Sequence, residues 1–416
     1  MSRFDVLVVG GGPAGSVAAL VLARGGGKVA LVDKSAFPRD KACGDVVGPR
    51  GLQLLLDLEL TPPIGRDVGD MLVVGPTGRR VRLPSADGLT YPGKGTAVAR
   101  TVFDAMLHAA ACDAGATPFV GRAQEPLEED GRIVGYKLSS GESLYADFVI
   151  GADGATSEVA AAAGLVEPDS VLWGFAVRTY LPQVVDLPAI VLWEPTPRRA
   201  FPGYGWVFPG EQGGANVGLG IGTRSDRKSG AHAVRSLGDF LRHLRALGLL
   251  DAVPSVPPRR LGGWLKMGIV GTTPARGRIL LVGDAAGLVN PMQGEGISQA
   301  MTSGRAAAVA ILGKPSCAAE SYRARLAVEH LPYHQIAAAV HAGLVGRPRA
   351  TAAVARLLTA AGRSDALSGG WAVFWNELLD GAPPNRHRSV ASAMTRLGRA
   401  VTAKGTTGRW FETALR

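Results

Sequence analysis

The feature that most constrains this chain is a glycine-rich turn that joins a short apolar run to a helical pattern. The apolar run spans Phe4 to Val9, and Gly10 to Gly15 follow it directly with the spacing G-x-G-x-x-G. Small residues continue from Ser16 to Arg24 and predict a helix. A second apolar run, Val29 to Val32, ends at Asp33. This order of strand, turn, helix, strand and acid predicts a nucleotide-binding βαβ unit.

Each glycine of that turn has its own physical reason to be there. Gly10 permits the tight turn, Gly12 lets the backbone approach a pyrophosphate, and Gly15 lets the helix pack closely on the strand. The N-terminus of the helix offers free N–H groups and the positive end of a dipole to phosphates. Asp33 lies 18 residues after Gly15, at the distance that suits a hydrogen bond from a ribose hydroxyl. An ordinary glycine-rich turn is the alternative, and the context favours a bound adenine dinucleotide.

Two further apolar runs end in a similar turn. One leads into Gly151-Ala152-Asp153-Gly154, and the other leads into Gly283-Asp284. Between them, strand-like segments at 172–181, 190–193, 203–208 and 215–222 predict an antiparallel sheet, and 236–250 predicts an amphipathic helix. An alternating pattern over 71–83 predicts a hairpin. Because the three turns lie far apart in the sequence, we expect a discontinuous nucleotide-binding domain with the sheet inserted in it.

Composition limits the class of protein and its compartment. A length of 416 residues predicts two to three domains. The first strand begins too early to leave room for a secretion signal, and no apolar run of about 18 residues predicts a transmembrane helix. Cys43, Cys112 and Cys317 are far apart and odd in number, and no histidine has metal-ligand spacing. We therefore expect no metal site and a reducing, cytoplasmic compartment.

The net charge of +10 is concentrated near the C-terminus. From residue 347 to residue 416, eleven basic residues stand against four acids, a balance of +7. Val390, Met394, Leu397 and Val401 form an apolar stripe there, and basic residues flank it. A membrane-surface helix and a helix docked on the chain's own nucleotide-binding domain are equally consistent with this pattern. An acidic carrier or electron-donor protein is the other partner it suits, whereas no motif indicates nucleic acid.

The three turns together resemble a known set of cofactor motifs. One nucleotide motif fits either NAD or FAD. Gly10 to Gly15, Gly151 to Gly154 and Gly283-Asp284 look like the three fingerprints of glutathione-reductase-type FAD proteins of the p-hydroxybenzoate hydroxylase fold. We call them the three fingerprint turns. The resemblance implies that FAD is the cofactor.

Four segments carry motifs that resemble those of one family. Phe37 to Asp45 resembles the F-P-R-x-K-x-C-G signature of the geranylgeranyl reductase family. Tyr204 to Pro209 matches its Y-x-W-x-F-P, and Gly283 to Ile297 matches its G-D-A-A-G…P…G-E-G-I. Ala97 to Asp104 matches its V-x-R…F-D element. The resemblance runs from the N-terminus to roughly residue 310 and implies a fold and a reaction.

The implied fold is α/β: a Rossmann-like FAD-binding domain with an inserted antiparallel β-sheet substrate domain and a helical C-terminal region. The predicted boundaries are 1–70, 96–165 and 266–315 for the FAD-binding domain, 71–95 and 166–265 for the substrate domain, and 316–416 for the basic C-terminal region.

The resemblance also implies roles for single residues. Asp284 would bond the ribityl chain of FAD, the Asp153-Gly154 turn would lie near the pyrophosphate, and Arg100 would reach toward the flavin. The full set expected to bind FAD is Gly10, Gly12, Pro13, Ala14, Gly15, Asp33, Lys34, Arg39, Lys41, Ala42, Cys43, Gly44, Arg100, Asp153, Gly154, Gly283, Asp284, Pro291, Gly294, Glu295, Gly296 and Ile297.

The implied reaction saturates isolated C=C bonds of a hydrophobic prenyl-type substrate by hydride transfer from reduced flavin. The substrate would be a prenylquinone, a prenyl diphosphate or a prenyl lipid. The electron donor stays open between NAD(P)H and another reductant, because no second G-x-G-x-x-G opens a helix. An enzyme with a lipid substrate and a basic tail is expected in the cytoplasm or peripheral to the inner face of the membrane.

Three residues are predicted to take part in the chemistry. The resemblance puts Cys43 beside the isoalloxazine as a proton donor or relay, with Lys41, Arg39 and Arg100 as positive neighbours; a packing role is the alternative. Tyr204 and Trp206 alternate on a predicted strand with Phe208, so all three point to one face. They form either a wall over the substrate or part of the sheet's own core.

A different class of flavin enzyme is the competing interpretation. A monooxygenase, halogenase or dehydrogenase would act on a polyketide, an aromatic or a carrier-bound substrate. Aromatic hydroxylases typically have His after Gly-Asp-Ala-Ala, where this chain has Gly287, and the W-x-W-x-I-P of flavin halogenases is absent from the sequence. These departures favour the reductase.

Overall fold

The computed structural model describes residues 3–75, 78–83, 93–182, 188–191, 203–210, 214–223, 229–250, 259–291 and 293–331, and the single positions 334, 337, 338, 341, 349, 353 and 356. Its helices are α1 (Pro13–Arg24), α2 (Pro49–Asp57), α3 (Arg100–Asp113), α4 (Glu158–Ala162), α5 (Ser229–Ala246), α6 (Ile297–Gly313) and α7 (Ala318–Glu329). Its strands are β1 (Arg3–Val9), β2 (Val29–Asp33), β3 (Val46–Val47), β4 (Arg66–Val68), β5 (Met71–Val74), β6 (Arg80–Leu83), β7 (Gly95–Ala97), β8 (Thr117–Val120), β9 (Ala123–Glu129), β10 (Arg132–Leu138), β11 (Ser143–Gly151), β12 (Leu172–Leu181), β13 (Ala189–Val191), β14 (Gly203–Pro209), β15 (Ala215–Thr223), β16 (Arg260–Met267), β17 (Ala275–Arg276) and β18 (Ile279–Leu281).

The first sheet is built around parallel strands in the order β18-β11-β1-β2-β8. Strand β17 extends it on one side, and β9 and β10 form an antiparallel meander with β11. Strands β1 and β2 are almost continuously apolar and buried, as expected of parallel strands covered on both faces. Their parallel arrangement brings the carboxyl ends of β1, β2, β11 and β18 to the same edge of the sheet.

Helices α1 and α6 cross closely because both are rich in small residues. A Cβ atom on Gly304 of α6 would lie 2.1 Å from the backbone oxygen of Ala14 in α1, so only glycine permits this approach. Both helices contribute to the largest hydrophobic core, which also contains β1, β2, β11 and β18. This packing fixes the N-terminus of α1 relative to the carboxyl ends of the strands.

The second sheet has the order β16-β12-β15-β14-β13-β5-β6. All its neighbouring pairs are antiparallel except β13 and β5, which run parallel. Helix α5 covers one face: a Cβ atom on Gly205 of β14 would lie 1.9 Å from the ring of Phe240. The core under α5 includes Val177, Val207, Val217 and Leu219. The opposite face is left to contact the rest of the molecule.

The predicted fold class is confirmed, with a Rossmann-like sheet and a largely antiparallel second sheet. Strand β12 and the hairpin of β5 and β6 lie where the sequence pattern predicts them. The predicted domain boundaries stay a prediction. The meander strand β9 and the small sheet of β3, β4 and β7 were not predicted, because these strands are short or largely exposed.

Helix α5 corrects one predicted element. It spans Ser229–Ala246 instead of 236–250. The run of large apolar side chains begins only at Leu237, although residues 229–235, which are mostly small or polar, are already helical. The helix ends earlier because Gly248 adopts a left-handed conformation and donates its N–H to the carbonyl of Arg245, a common way to terminate a helix.

The last part of the chain is described only in part. Among the helices that the structure describes, none combines the length and the apolar character needed to cross a membrane. The predicted apolar stripe at 390–401 and its basic neighbours lie outside the described residues.

Candidate active site

The three fingerprint turns meet at one edge of the first sheet. Val9, the last residue of β1, pairs with Gly151 of β11 on one side and with Val32 of β2 on the other. Gly151 pairs in turn with Leu281 of β18. Strands β2 and β11 therefore lie on opposite sides of β1. In parallel sheets, a change of strand order of this kind opens a crevice at the carboxyl ends of the strands.

Backbone atoms approach so closely at this edge that two positions accept no side chain. A Cβ atom on Gly10 would lie 2.2 Å from the oxygen of Ala152, and Gly10 has a φ of +109°, which favours glycine. A Cβ atom on Gly15 would lie 1.8 Å from the oxygen of Gly10. A Cβ atom on Gly283 would lie 3.1 Å from Ala14. These glycines therefore pack the first, second and third turns against one another.

The N-terminus of α1 is open and faces positive charge. Gly12 precedes Pro13, the first helical residue, and provides no side-chain cap, and no acid lies in the first turn. Among the described residues, a Cβ atom on Gly12 would meet only the Arg39 guanidinium, at 3.4 Å, and one on Gly154 would meet nothing within 4 Å. Uncapped N–H groups beside a guanidinium form a surface suited to a phosphate group.

Asp33 is buried at the end of β2 and already holds the first turn in place. Its Oδ2 accepts a hydrogen bond from the N–H of Gly11 at 2.9 Å, and Arg39 pairs with the same oxygen at 3.3 Å. Its Oδ1 accepts the N–H of Ser35 at 3.0 Å. An ionised carboxylate has about four acceptor positions, so one remains for a ribose hydroxyl. That hydrogen bond stays a prediction. Lys34, next in the chain, is exposed.

The carboxyl group of Asp153 is directed at helix α4. It accepts hydrogen bonds from the Ser157 hydroxyl at 2.5 Å and from the N–H groups of Glu158 at 2.7 Å and Val159 at 3.2 Å. Ser157 caps the same helix through the N–H of Ala160. Burial raises the pKa of Asp153 despite these donors. The carboxyl group thus fixes the second turn to the N-terminus of α4. The space beside the Gly154 backbone stays open.

Asp284 joins the third turn to the loop after β2. Its Oδ2 pairs with the Lys41 ammonium at 3.3 Å. A Cβ atom on Gly296 would lie 3.5 Å from its Oδ1, so the N-terminus of α6, which begins at Ile297, approaches the same carboxylate. Lys266 of β16 is buried nearby, and burial lowers its pKa to about 8, although Asp153 and Asp284 oppose the shift.

The loop before α6 is held by its own backbone. Gly294 donates its N–H to the carbonyl of Asn290, and Asn290 donates to the carbonyl of Glu295, both at 2.9 Å. The Glu295 carboxylate accepts the N–H of Ser298 at 2.7 Å and so caps α6. The carbonyl of Pro291 contacts the His341 ring at 3.1 Å.

A buried ion-pair network fixes the loop of residues 37–45, which we call the cysteine loop. Arg100 binds both carboxylate oxygens of Asp104, at 2.6 and 2.7 Å, one turn apart on α3. Arg39 binds the same carboxylate at 3.1 Å and also pairs with Asp33. Because Asp104 is fully buried and bears two guanidinium partners, it ties the cysteine loop to α3 and to β2.

Cys43 lies half-buried at the end of this loop. Arg100 and the backbone N–H of Asp45 lie near its sulfur and favour the thiolate. Burial nevertheless raises the pKa of the thiol, so Cys43 holds its proton at neutral pH. Arg100 is therefore the cation beside the thiol, whereas the expected neighbours Arg39 and Lys41 pair with carboxylates. Ala42 lies against β16, 3.4 Å from a Cβ position on Gly263.

Three aromatic side chains of β14 share the face that looks toward the cysteine loop. The rings of Tyr204 and Trp206 are 6.2 Å apart, and those of Trp206 and Phe208 are 6.3 Å apart. A Cβ atom on Gly44 would lie 3.0 Å from the Phe208 ring and 3.5 Å from the Trp206 indole nitrogen. The predicted common face is confirmed, and Gly44 is small because this contact leaves no room. The role as a substrate wall stays a prediction.

Tyr204 connects this row to the loop before α6. Its hydroxyl donates a hydrogen bond to the carbonyl of Gln293, next to Gly294. Burial raises the pKa of the phenol, and the neighbouring Cys43 and Glu295 add to the effect. Tyr204 is therefore neutral and lies close to Cys43 and Glu295.

Asn216 of β15 connects the aromatic row to the cysteine loop. Its Oδ1 accepts the indole N–H of Trp206 at 2.9 Å. Its Nδ2 donates to the carbonyl of Cys43 at 2.9 Å and to Oδ2 of Asp45 at 2.8 Å. Three of the four hydrogen-bonding positions on this fully buried amide are directed at the site, so its orientation is fixed.

Comparison with known proteins decides the family. Residues 3–314 match the family model described as FAD binding domain. The chain belongs to this FAD-binding family. The match includes all three fingerprint turns, the cysteine loop and the aromatic row, so it covers the site described above.

Similar curated proteins narrow the relationship to the geranylgeranyl reductases. The chain is 34% identical over 316 residues to the menaquinone reductase of Mycolicibacterium smegmatis, covering 74% of this chain and 76% of that protein. It is 33% identical over 313 residues to digeranylgeranylglycerophospholipid reductase 2 of Methanopyrus kandleri, covering 73% and 76%. It therefore belongs to the geranylgeranyl reductase family of FAD-dependent oxidoreductases. A geranylgeranyl bacteriochlorophyll reductase-like protein from Thermoplasma acidophilum shares the fold, with a TM-score of 0.72 and 24% identity over 97% of this chain and 98% of that one.

The residues at the sheet edge fit FAD. The backbone is open at Gly12, where a Cβ atom would meet the Arg39 guanidinium at 3.4 Å, and at Gly154, and the uncapped N-terminus of α1 beside Arg39 suits a pyrophosphate. One acceptor position on Asp33 remains for a ribose hydroxyl. Asp284 lies at the N-terminus of α6, where the flavin end of the cofactor is predicted. The contact residues predicted for FAD stay predictions.

Four residues of this region were not predicted from the sequence. Asp45, Asp104, Asn216 and Lys266 are all buried polar groups. Asp45 and Asp104 end segments that match the family motifs, and Asn216 is a polar residue at the start of an alternating glycine strand, so these three carried a signal. Their roles and Lys266 could not be recognised, because burial and pairing depend on contacts between elements distant in sequence.

Proposed function

We propose that this flavoprotein saturates isolated C=C bonds in the prenyl chain of a hydrophobic substrate. The observation that carries the proposal is the neutral Cys43 thiol at the contact between the cysteine loop and the aromatic row of β14. The names of the curated relatives support a prenyl substrate, since a menaquinone and a digeranylgeranylglycerophospholipid both carry prenyl chains. Bound and reduced, FAD would supply a hydride.

The protein contributes the proton and the geometry. Addition of a hydride to one alkene carbon requires a proton at the other, and Cys43 holds one under neutral conditions. The Arg100 guanidinium lies near the same sulfur and would stabilise the thiolate left behind. We therefore assign Cys43 the role of proton donor to the substrate.

The aromatic row would hold the alkene and exclude water. Trp206 is 5% exposed, and its indole lies over Gly218 of β15, where a Cβ atom would approach the ring to 2.3 Å. Gly220 pairs with Tyr204 across the same face. Flat aromatic rings over glycines offer an apolar surface without side-chain obstruction, which suits a chain of isoprene units. An isolated alkene is a poor hydride acceptor, so close positioning matters.

The electron donor is proposed to bind transiently. The run Gly218-Leu219-Gly220-Ile221-Gly222 lies inside antiparallel strand β15 and opens no helix. NAD(P)H would therefore need a site of another kind, and a protein or small-molecule reductant is the alternative. Anaerobic mixing of the oxidised enzyme with NADPH and with NADH distinguishes a nicotinamide donor from another reductant, because bleaching of flavin absorbance reports reduction directly.

A product assay tests the reaction. The FAD-loaded enzyme is reduced anaerobically with dithionite and offered a prenylquinone, a prenyl diphosphate or a prenyl lipid. We expect products two hydrogen atoms heavier for each double bond reduced, with one of the three classes clearly preferred. Heat-denatured enzyme with the same reductant is the control. Oxygenated or halogenated products in air, with no saturated product without oxygen, would support the competing monooxygenase or halogenase.

We also propose that the basic C-terminal region brings the enzyme to anionic membranes, where prenyl substrates reside. The balance of +7 over residues 347–416 and the apolar stripe at 390–401 support this. Co-sedimentation with anionic and neutral vesicles, for the full chain and for a chain ending at residue 385, tests the proposal. Binding that is selective for anionic vesicles and lost on truncation is expected. Equal binding by both chains would point to a docked helix or to an acidic protein partner.

A further inference from the structure

Three neighbouring strands build the face of the second sheet that looks toward the cysteine loop. In antiparallel strands, residues directly opposite each other lie on the same face, and so does every second residue along a strand. Arg178 of β12 is opposite Gly218 of β15, which is opposite Trp206 of β14. Two residues further along β12, Tyr180 is opposite Asn216. The aromatic row therefore shares its face with Arg178 and Tyr180.

Arg178 holds the first part of the cysteine loop. Its guanidinium donates hydrogen bonds to the carboxylate of Asp40 at 2.5 Å and to the carbonyl of Lys41 at 3.4 Å. The side chain of Arg178 is 3% exposed and that of Asp40 is 29% exposed. Because a buried guanidinium is costly to leave without its carboxylate, this contact resists separation of the loop from β12.

Tyr180 and Asn216 hold the last part of the same loop. The Tyr180 hydroxyl donates a hydrogen bond to Oδ2 of Asp45, and Asn216 Nδ2 donates to the same oxygen at 2.8 Å. Asn216 also donates to the carbonyl of Cys43 at 2.9 Å. The Arg178 guanidinium lies 4.1 Å from the centroid of the Tyr180 ring, so the two contacts that β12 makes with the loop support each other.

The middle of the loop packs on the same face. A Cβ atom on Gly263 of β16 would lie 3.4 Å from the side chain of Ala42. A Cβ atom on Gly44 would lie 3.0 Å from the Phe208 ring. Cys43 lies between these two contacts and between the two points that β12 holds. The strands under the loop therefore determine where the thiol lies along the aromatic row.

We infer that Arg178 is a positioning residue that holds the Cys43 thiol at the aromatic row. The inference rests on the proposed function, in which this thiol protonates the alkene. Arg178 acts through the Asp40 carboxylate and the Lys41 carbonyl and takes no part in the proton transfer itself. Without it, the loop is still held at Asp45, but its first part is free to move and the thiol moves with it. A displacement of about 1 Å at a reacting group can slow a reaction by about 100-fold.

The first test needs no substrate. The rate at which iodoacetamide alkylates Cys43 in the FAD-loaded enzyme, resolved by peptide mass spectrometry, reports how firmly the loop covers the thiol. Arg178→Met should raise this rate by about fivefold or more, because the loop opens more often. Asp40→Asn removes the other half of the ion pair and should raise it in the same way. The matched control is Arg82→Met, which removes the 2.6 Å ion pair of Arg82 with Asp70 on β6 of the same sheet and should leave the rate unchanged.

A double variant tests whether both residues act through one contact. Arg178→Met combined with Asp40→Asn should raise the Cys43 rate no further than the more strongly affected single variant. Cys112 and Cys317 are internal controls whose rates should not change. If Arg178→Met does not fold, Asp40→Asn decides, because it keeps the volume of a partly exposed side chain. An unchanged Cys43 rate, multiplied effects in the double variant, or an equal rise at all three cysteines would overturn the inference.

The second measurement connects this contact to the reaction. In anaerobic single turnovers with prereduced enzyme, Arg178→Met should slow alkene reduction by about tenfold or more. Arg178→Lys keeps a cation beside Asp40 and should recover part of the rate. In the Cys43→Ala background, Arg178→Met should slow the reaction by less than about twofold, because no thiol remains to be positioned.

The comparison of the two backgrounds separates positioning from a merely structural role. Equal losses with and without the Cys43 thiol would overturn the inference, because Arg178 would then act on something else. If wild type reduces none of the prenyl substrates, the proposed function itself is wrong, and the alkylation rates alone then decide whether Arg178 holds the loop.

Discussion

Cys43 shows how a residue-scale environment determines chemistry. Its thiol is flanked by Arg100, by the N–H of Asp45 and by the aromatic row, and burial keeps it protonated. Burial raises the pKa of the thiol more than the Arg100 cation lowers it, so the thiol is protonated before the reaction, and the cation stabilises the thiolate that forms. The same contacts therefore suit proton donation better than nucleophilic attack, which requires a thiolate beforehand.

Replacing Cys43 tests its role directly. Cys43→Ala removes the proton donor and should slow single-turnover alkene reduction by about 100-fold, within the range for general acids. Cys43→Ser keeps a proton at similar volume and should retain more of the rate. The measurement is anaerobic stopped-flow with prereduced enzyme, and FAD content is the control. Rates within about twofold of wild type for both variants would leave Cys43 a packing residue.

Gly10 provides a residue-scale test of the cofactor site. A methyl group there would overlap the oxygen of Ala152, so Gly10→Ala should push the first and second turns apart. We expect loss of bound FAD and loss of the rise in melting temperature that added FAD gives wild type. Gly313→Ala is the matched control, because a Cβ atom there would meet no atom of the described part of the chain within 4 Å. Normal FAD binding by Gly10→Ala would contradict the close packing of the turns.

At the scale of elements, β14 contributes side chains to both faces of the second sheet. Its odd positions pack under α5, where Gly205 contacts Phe240, and its even positions face the cysteine loop. Strand β15 alternates in the same way, with Val217 in the core and Asn216 and Gly218 toward the site. The packing of α5 on β14 therefore fixes the distance between the aromatic row and the cysteine loop.

Gly205→Ala tests this coupling. The added methyl group would collide with the Phe240 ring and should destabilise the protein by about 1–3 kcal/mol. Because α5 would be displaced, prenyl reduction should fall as well. Gly205→Ala with Phe240→Leu should recover part of the stability, since the smaller side chain makes room. Urea unfolding of the single and double variants measures the effect, and strictly additive losses would contradict the contact.

Buried histidines after α7 predict a pH dependence. Burial lowers the pKa of His334 to about 3, and that of His330 also falls well below its ordinary value. Unfolded histidine titrates near 6.5, so the unfolded state binds more protons between pH 6.5 and about 3. Stability should therefore be full above pH 6.5 and fall by about 1.4 kcal/mol per pH unit per histidine as the pH decreases. Urea titrations at several pH values check this, and His334→Gln should reduce the slope; an unchanged slope would contradict the burial.

The local sequence pattern predicted the helices and strands better than the polar contacts between them. The spacing around Gly10 to Gly15 fixed the first βαβ unit, and alternation along β14 fixed which side chains share a face. The partners of Arg39 could not be predicted in this way. It binds Asp33 and Asp104, which lie 6 and 65 residues away, instead of flanking the thiol. Asp45 and Asn216 meet across 171 residues, and no local signal carries such a contact.

At the scale of the whole molecule, the two sheets contribute different parts of the candidate site. The first sheet gathers three distant glycine turns into one edge that fits FAD. The second sheet presents an aromatic face, and the cysteine loop lies between them, tied to the first by Asp284 and to the second by Asn216. This arrangement brings a proton donor to the boundary between cofactor and substrate, as the proposed reaction requires.

The most direct test of this account is an anaerobic single turnover with product analysis. FAD-loaded enzyme, reduced with one equivalent of dithionite, is mixed with a prenylquinone, prenyl diphosphate or prenyl lipid while flavin absorbance is followed. We expect flavin reoxidation to match the loss of one double bond per flavin, with a product two hydrogen atoms heavier. Flavin that stays reduced with every prenyl substrate and reoxidises only when oxygen is admitted would contradict it.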